Sequence, residues 1–309
     1  MLEFTPVTPA DIPLLRPWLT AHPFRSCDFS VGGIFLWADY FHYQKAIKGD
    51  TLFIKGVTEN DVSRPAFSLP LGPMPIAESL ALLRRHCRAE GVEPVMSAVP
   101  QEALQVLMDN GARRFTELTD WADYIYDIKA LSTFAGKKLS KKRNHINRFA
   151  LDHPDAVFSP ITEADAPELI EFYRRLHTHA DPSEIAAYDR AQTLRVLRSP
   201  DFYGFEGGVL RVPGRGIVAF AMGEPVGDTL MTHIEKMDHE VTGAGETICR
   251  DFTAMMAARH PDLNYVNRED DSGDPGLRQA KEALHPLFMQ RKYNVAFCSL
   301  RHISDHPSQ

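Results

Sequence analysis

At 309 residues the chain is too long for one ordinary core and suits two domains of about 150 residues each. Hydrophobic content of 44% and charged content of 24% are those of a globular protein, and no run approaches the roughly 20 apolar residues that a membrane span needs. The formal net charge of −7 is unevenly spread: residues 131–155 carry six Lys/Arg against two Asp/Glu, a basic island between two acidic flanks.

The N-terminus has no basic run ahead of an apolar core, so no secretory signal is expected and the cytoplasm is the expected compartment. Residues 2–7 alternate as a short strand does. Thr8-Pro9-Ala10-Asp11 then opens a helix: threonine caps, proline suits the first helical position, and aspartate faces the positive helix end. Residues 30–43 are rich in aromatics. Ile34, Trp37, Ala38 and Phe41 fall at helical spacing, which predicts a helix with a buried face; an aromatic ligand-binding wall is the alternative. Strands are expected at 51–57 and 66–71. A helix follows over 76–90, with Leu80, Leu83 and Cys87 on one face and Gly91 as its stop. A strand at 94–99, a helix at 101–110 and a strand at 121–128 complete the first half.

Residues 136–148, GKKLSKKRNHINR, are basic and free of acids. A solvated helix linking two domains explains them, as does a phosphate-binding surface for tRNA, an anionic lipid head group or a cofactor pyrophosphate. The residues for such a surface are Lys138, Lys141, Lys142, Arg143, Asn144, His145 and Arg148.

At Ile161 the opening recurs. Val7-Thr8-Pro9-Ala10-Asp11-Ile12-Pro13 is matched by Ile161-Thr162-Glu163-Ala164-Asp165-Ala166-Pro167, and the order of elements after it repeats. This points to a duplicated α+β unit: residues 1–130, a basic linker at 131–155, and residues 156–309. In the second half Leu169, Tyr173 and Leu176 form a helix stripe. Another helix is expected at 188–197, and strands at 202–205, 208–212, 216–223 and 229–237. Such a hairpin-rich sheet differs from a run of βαβ units.

Cys27, Cys87, Cys249 and Cys298 are far apart in sequence and read as buried free thiols. His177 and His179 are the one close histidine pair weighed as metal ligands, and solvated loop histidines are the simpler reading; no metal site is expected.

Chemistry concentrates in residues 229–293. Gly243-Ala244-Gly245 separates a strand from a helix, where free N–H groups can face a phosphate, although an ordinary turn uses the same residues. For a step that removes a proton, Glu235 on the strand is the candidate base, with His233, Glu269 and Asp270 as rivals. Lys236, Asn267, Arg268, Arg278 and Lys281 are candidates for holding phosphates or a carboxylate, Arg268 first because its fork suits bidentate contact. Neighbouring strand residues point to opposite faces, so His233 and Glu235 are expected in one pocket and Lys236 outside it. A polar turn stitched by salt bridges is the competing reading of residues 267–270.

Glu240-Val241-Thr242-Gly243-Ala244-Gly245 resembles the pyrophosphate loop of the GNAT (N-acetyltransferase) superfamily, Q/R-x-x-G-x-G/A, with Glu240 where that family has Gln or Arg. The first half has no such loop at Leu69-Pro70-Leu71-Gly72-Pro73, so it is expected to keep the fold without a cofactor site. The blocks KLSKKRNHINRF, His233-Ile234-Glu235-Lys236, Val266-Asn267-Arg268-Glu269-Asp270, Gly276-Leu277-Arg278-Gln279-Ala280-Lys281 and His285-Pro286 together resemble the C-terminal domain of bacterial phosphatidylglycerol lysyltransferases. That resemblance implies two tandem GNAT-like domains, each a mixed and mostly antiparallel sheet flanked by helices. It also implies aminoacyl transfer from tRNA to a lipid hydroxyl or another hydroxyl or amine. Two rivals stay open: an acyl-CoA-dependent N-acyltransferase using Gly243, Ala244 and Gly245, and a non-catalytic RNA- or phospholipid-binding protein.

Overall fold

A computed structural model of the chain describes residues 1–176 and 184–297; His177, His179 and Cys298 lie outside the described residues. The chain forms two compact units. The first takes Met1–Leu19, Trp37–Ala122 and the chain from Gln290; the second takes Thr20–Leu36 and Asp123–Met289.

Each unit is built on a seven-stranded mixed sheet. In the first, the order is Thr5–Pro6, Gln44–Lys48, Thr51–Thr58, Asp61–Phe67, Val95–Pro100, Lys292–Phe297 and Ala112–Glu117. In the second it is Val157–Pro160, Glu206–Val212, Gly216–Val226, Thr229–Met237, Tyr265–Asn267, Asp123–Asp127 and Phe288–Gln290. The fourth and fifth strands pair in parallel in both sheets, and the pairs before them run antiparallel. The duplication is therefore visible in topology as well as sequence. Both openings form the same cap: Thr8 with Asp11, and Thr162 with Asp165, each exchange side chain-to-backbone bonds at the start of a short 3-10 turn that runs into a helix.

The expected boundaries at 130 and 155 do not coincide with these units. Strand Asp123–Asp127 pairs with Tyr265–Asn267, so it belongs to the second sheet. Strand Lys292–Phe297 inserts between Val95–Pro100 and Ala112–Glu117, so it belongs to the first. Each half gives its last strand to the other's sheet, which a reading of contiguous stretches does not anticipate.

Residues 131–155 are not a linker. Helix Ser140–Asp152 buries Ile146 and Phe149 in the core of the second unit, with Leu131, Phe134, Ile248 and Phe252. Strands Gln44–Lys48 and Ala112–Glu117 are additional to those expected. Residues 202–205, expected as a strand, instead close helix Pro200–Tyr203, which Gly204 ends in the left-handed region at φ 66°. The helix expected across 30–43 shortens to Val31–Phe35, capped by Ser30, whose side chain accepts from the Gly33 N–H. Beyond Phe35 the chain passes through turns, and His42 takes the left-handed region at φ 53°. Helix Ile76–Glu90 and its Gly91 stop are as expected. Cys27, Cys87 and Cys249 are buried free thiols.

Because Phe149 is packed in this core, Phe149→Ala is expected to cost about 3 to 5 kcal/mol, whereas the exposed Lys141→Ala changes stability by less than about 0.5 kcal/mol. Urea denaturation of both variants checks this; equal midpoints would show that the helix is peripheral.

Candidate active site

The site begins where two parallel strands part. Strand Thr229–Met237 pairs with Tyr265–Asn267 only from Thr229 to Met231. Beyond Met231 it runs on along Gly216–Val226 alone, leaving its other edge open among the described residues. A cavity of about 720 Å³ lies there, inside the second unit. Glu235, Lys236, Lys142, Glu246, Cys249, Arg268 and Lys281 line it, with Asp271, Asp274, Leu277 and Leu284 on the side of helix Pro275–Glu282.

Glu235 and Arg268 bridge the gap between the parting strands. Arg268 Nη2 donates to Glu235 Oε1 at 2.6 Å, and Nη1 donates to the Cys249 Sγ at 3.5 Å. Both partners are largely removed from solvent, with side chains 14% and 10% exposed. Burial raises the Glu235 pKa, against the pull of Arg268 and Lys281. Burial also works against the charge on Arg268, but Glu235, Cys249 and Tyr126 outweigh it and the guanidinium is firmly charged. Burial pushes the Cys249 thiol up to about 12, so it is not a ready nucleophile. The second carboxylate oxygen of Glu235 takes no hydrogen bond among the described residues, and Glu235 lines the cavity.

The turn after Asn267 is tightly tied. The Asn267 side chain accepts from the Glu269 N–H at 2.6 Å and donates to the Arg25 carbonyl and to Asp123. Asp270 accepts from the backbone and hydroxyl of Ser272. Asp271 receives Arg278 at 2.8 and 2.9 Å and the Tyr124 hydroxyl at 2.6 Å. Lys281 Nζ donates to the carbonyls of Arg268, at 2.7 Å, and Asp270. Burial lowers the Lys281 pKa. Arg278 therefore supports the wall through Asp271, and Asp270 ties the turn without lining the cavity.

His233 is not in the cavity. Its ring is fully buried between two carboxylates, Glu269 at 2.7 Å from Nδ1 and Glu224 at 3.0 Å from Nε2. The expectation that Glu235 shares a pocket with His233 and excludes Lys236 is thus corrected. Alternation fixes where each Cβ points. The long stem of Lys236 nonetheless reaches the cavity edge, where Nζ meets Asp189 at 3.3 Å. Burial opposes the charge on Lys236, but Asp189, Tyr173 and Glu269 raise its pKa.

The glycine loop is also filled differently from the expectation. Gly243 has φ 82°, and a Cβ there would lie 2.2 Å from the His145 carbonyl oxygen, so this glycine serves close packing of helix Ser140–Asp152. Ala244 is fully buried, and Gly245 alone of the three lines the cavity. In the first turn of helix Ala244–Arg259, Glu246 accepts from Lys142 at 3.1 Å and meets His145 at 3.0 Å. Glu240 pairs with Arg215.

The basic segment divides by role. Lys142 faces the cavity. Arg143 donates to the carbonyls of Phe134 and Gly136 and holds the preceding turn. Lys138, Lys141, Asn144, His145 and Arg148 are exposed. Glu224, Glu246 and Asp271 are site residues that the sequence patterns do not mark, and Cys249 is marked there only as a buried thiol. Glu224 carried a usable signal, a carboxylate within the apolar run Ile217 to Val226, where a buried charge requires a partner.

The family model for the C-terminal region of phosphatidylglycerol lysyltransferase matches residues 21–296. The chain belongs to this family. A conserved protein of unknown function from Bacteroides thetaiotaomicron is 30% identical, with a TM-score of 0.87 over 96% of this chain and 100% of that one. The L-PGS of Bacillus licheniformis shares the fold at 16% identity, with a TM-score of 0.64 over 93% of each chain. An uncharacterized protein of Mycoplasmoides gallisepticum is 25% identical over 179 residues, 56% of this chain and 55% of that protein, so the match spans about half of this curated relative.

Two outcomes test this geometry. Arg268→Ala strands the Glu235 charge and is expected to lower unfolding free energy by about 3 to 5 kcal/mol; a wild-type denaturation midpoint would refute the buried pair. His233, raised to about 9 by Glu224 and Glu269 against the opposing effect of burial, binds its proton more tightly folded than unfolded. Its contribution to stability is therefore full below about pH 6.5 and lost as pH rises towards about 9. NMR titration of the ring is expected to show it protonated at pH 7.5.

Proposed function

We propose that the second unit transfers an aminoacyl group from a charged tRNA to a hydroxyl or amine acceptor, with a phosphatidylglycerol-type hydroxyl as the first acceptor to test. The acceptor hydroxyl attacks the aminoacyl ester carbonyl, and the new C–O bond forms as the bond to the ribose oxygen breaks. Glu235 takes the acceptor's proton on its open oxygen and returns it to the departing ribose oxygen. Arg268 holds the other oxygen, fixing the carboxylate's direction. Lys142 and Lys236 supply positive charge for the developing oxyanion or a nearby phosphate.

The observation that carries this reading over an acyl-CoA donor is the state of the glycine loop. Gly243 is packed on the His145 carbonyl, and the chain's own Glu246 occupies the helix's first turn, where a pyrophosphate would need open N–H groups and no competing carboxylate. Family membership supports the aminoacyl class. The exposed Lys141 and Arg148 lie on the helix whose Lys142 faces the cavity, and the exposed Lys138 lies in the turn before it, which suits a polyanionic donor.

The test is transfer from a panel of radiolabelled aminoacyl-tRNAs to phosphatidylglycerol vesicles or amine acceptors, beside acetyl-CoA. Transfer from charged tRNA is expected, with Glu235→Gln lowering kcat by about 100- to 10,000-fold. The triple change Lys138→Ala, Lys141→Ala, Arg148→Ala is expected to weaken tRNA binding and flatten its salt dependence. Turnover of acetyl-CoA without tRNA would replace this reading with an acyl-CoA transferase.

A further inference from the structure

His233 has a buried place that the transfer chemistry above does not use. Its ring is enclosed by Glu224 from strand Gly216–Val226, Glu269 from the turn after Asn267, Gly32 from helix Val31–Phe35 and Phe205, whose ring centroid lies 5.1 Å away. Glu224 Oε1 also accepts the Gly32 N–H at 2.8 Å, and a Cβ on Gly32 would lie 2.3 Å from the His233 ring. The fit thus leaves no room for any side chain at position 32. Glu224 Oε2 is buried without a hydrogen bond, so His233 is the cation that faces this buried carboxylate.

Glu269 is held in the left-handed region at φ 59°, a conformation that costs a non-glycine residue about 1 to 3 kcal/mol and persists only where surroundings impose it. Three contacts impose it. Asn267 accepts the Glu269 N–H, the Tyr124 N–H donates to the Glu269 carbonyl at 3.1 Å, and His233 holds the Glu269 carboxylate as the one side-chain contact to that carboxylate among the described residues. The residue between Asn267 and Glu269 is Arg268, whose guanidinium meets Glu235 in the cavity.

We infer that His233 is a positioning residue: buried between Glu224 and Glu269, it holds the carboxylate side of the strained turn that points Arg268 at Glu235. It does not line the cavity of Glu235 and takes no proton from substrate. Its partner Glu224 fastens helix Val31–Phe35 at the same point, so a segment early in the chain and the turn carrying Arg268 share one charged anchor. The kinetic consequence rests on the transfer reaction proposed above; the structural consequence does not.

The experiment uses the full chain, labelled with nitrogen-15, and follows exchange of the Arg268 guanidinium protons with water by NMR. Arg211, bound by Asp165 and Glu168 elsewhere in the second unit, is the internal control. In His233→Gln the Arg268 protons are expected to exchange faster while those of Arg211 do not change. Unchanged Arg268 protection in the folded variant overturns the inference. If His233→Gln does not fold, Glu269→Gln decides: it keeps an acceptor for the His233 Nδ1–H but removes the charge. Faster Arg268 exchange then supports the inference, and wild-type protection overturns it. With an active transferase, His233→Gln lowers kcat by about 100-fold with KM little changed, as for a misplaced reacting group. Should the wild type transfer nothing from any donor, the proposed function fails while the exchange data still judge His233.

Discussion

The second unit is organised by an ion pair placed where its sheet comes apart. Two parallel strands share only three paired positions before they separate, and the opening would expose backbone and apolar surface unless something filled it. Glu235 from one strand and Arg268 from the end of the other meet across that opening. The pair does not make the fold cheap. Two charges taken from water are costly, and their attraction repays that cost only with good geometry and further hydrogen bonds. What the arrangement provides is a fixed carboxylate facing a cavity, one oxygen held and one open.

The surroundings follow from keeping those charges in place. Lys281 ties the carbonyl of Arg268, Asp271 is held by Arg278 and Tyr124, and His233 holds Glu269. Nearly every ionisable group at the cavity is answered by an opposite charge or a backbone dipole from another element, as a low-dielectric site demands. Such a network is unforgiving to the loss of one member, because the partner is left buried and unpaired.

Much of this was legible in sequence. The repeated Thr-x-x-Asp opening identified the duplication because a cap is a local interaction, written in four residues. Helix Ile76–Glu90 was legible because its apolar spacing and terminal glycine agree. Glu235 and Arg268 could be named as chemically apt residue types, but not as partners, since 33 positions separate them. The exchange of terminal strands was hidden, because nothing local in Asp123–Asp127 says which sheet it completes. His233 was read as a rival base from its usual pKa. Its actual state depends on Glu224 and Glu269, which only the fold brings to either side of the ring. Gly243 matches a phosphate-loop pattern, yet its freedom to adopt φ 82° serves equally for close packing, and here it admits the His145 carbonyl.

The first unit carries the same topology with different residues where its parallel strands part. Its parallel strands also part early, with Phe67 opposite Met96 as their one paired position. The chain beyond Phe67 is Ser68-Leu69-Pro70-Leu71, and both leucines are buried, Leu71 bridging back to Leu52. Where the second unit places Glu235 along the open edge, the first continues into leucines and proline and joins the core. Nearby, the Ser97 hydroxyl donates to the Asn294 side-chain oxygen, and the Asn294 amide donates to Asn60. A duplicated fold thus reaches two outcomes from one geometric weakness. In one copy the chain past the parting carries buried leucines. In the other the gap is bridged by a carboxylate and a guanidinium beside a lined cavity. The sheet order is the same in both, and the residues along this strand edge differ.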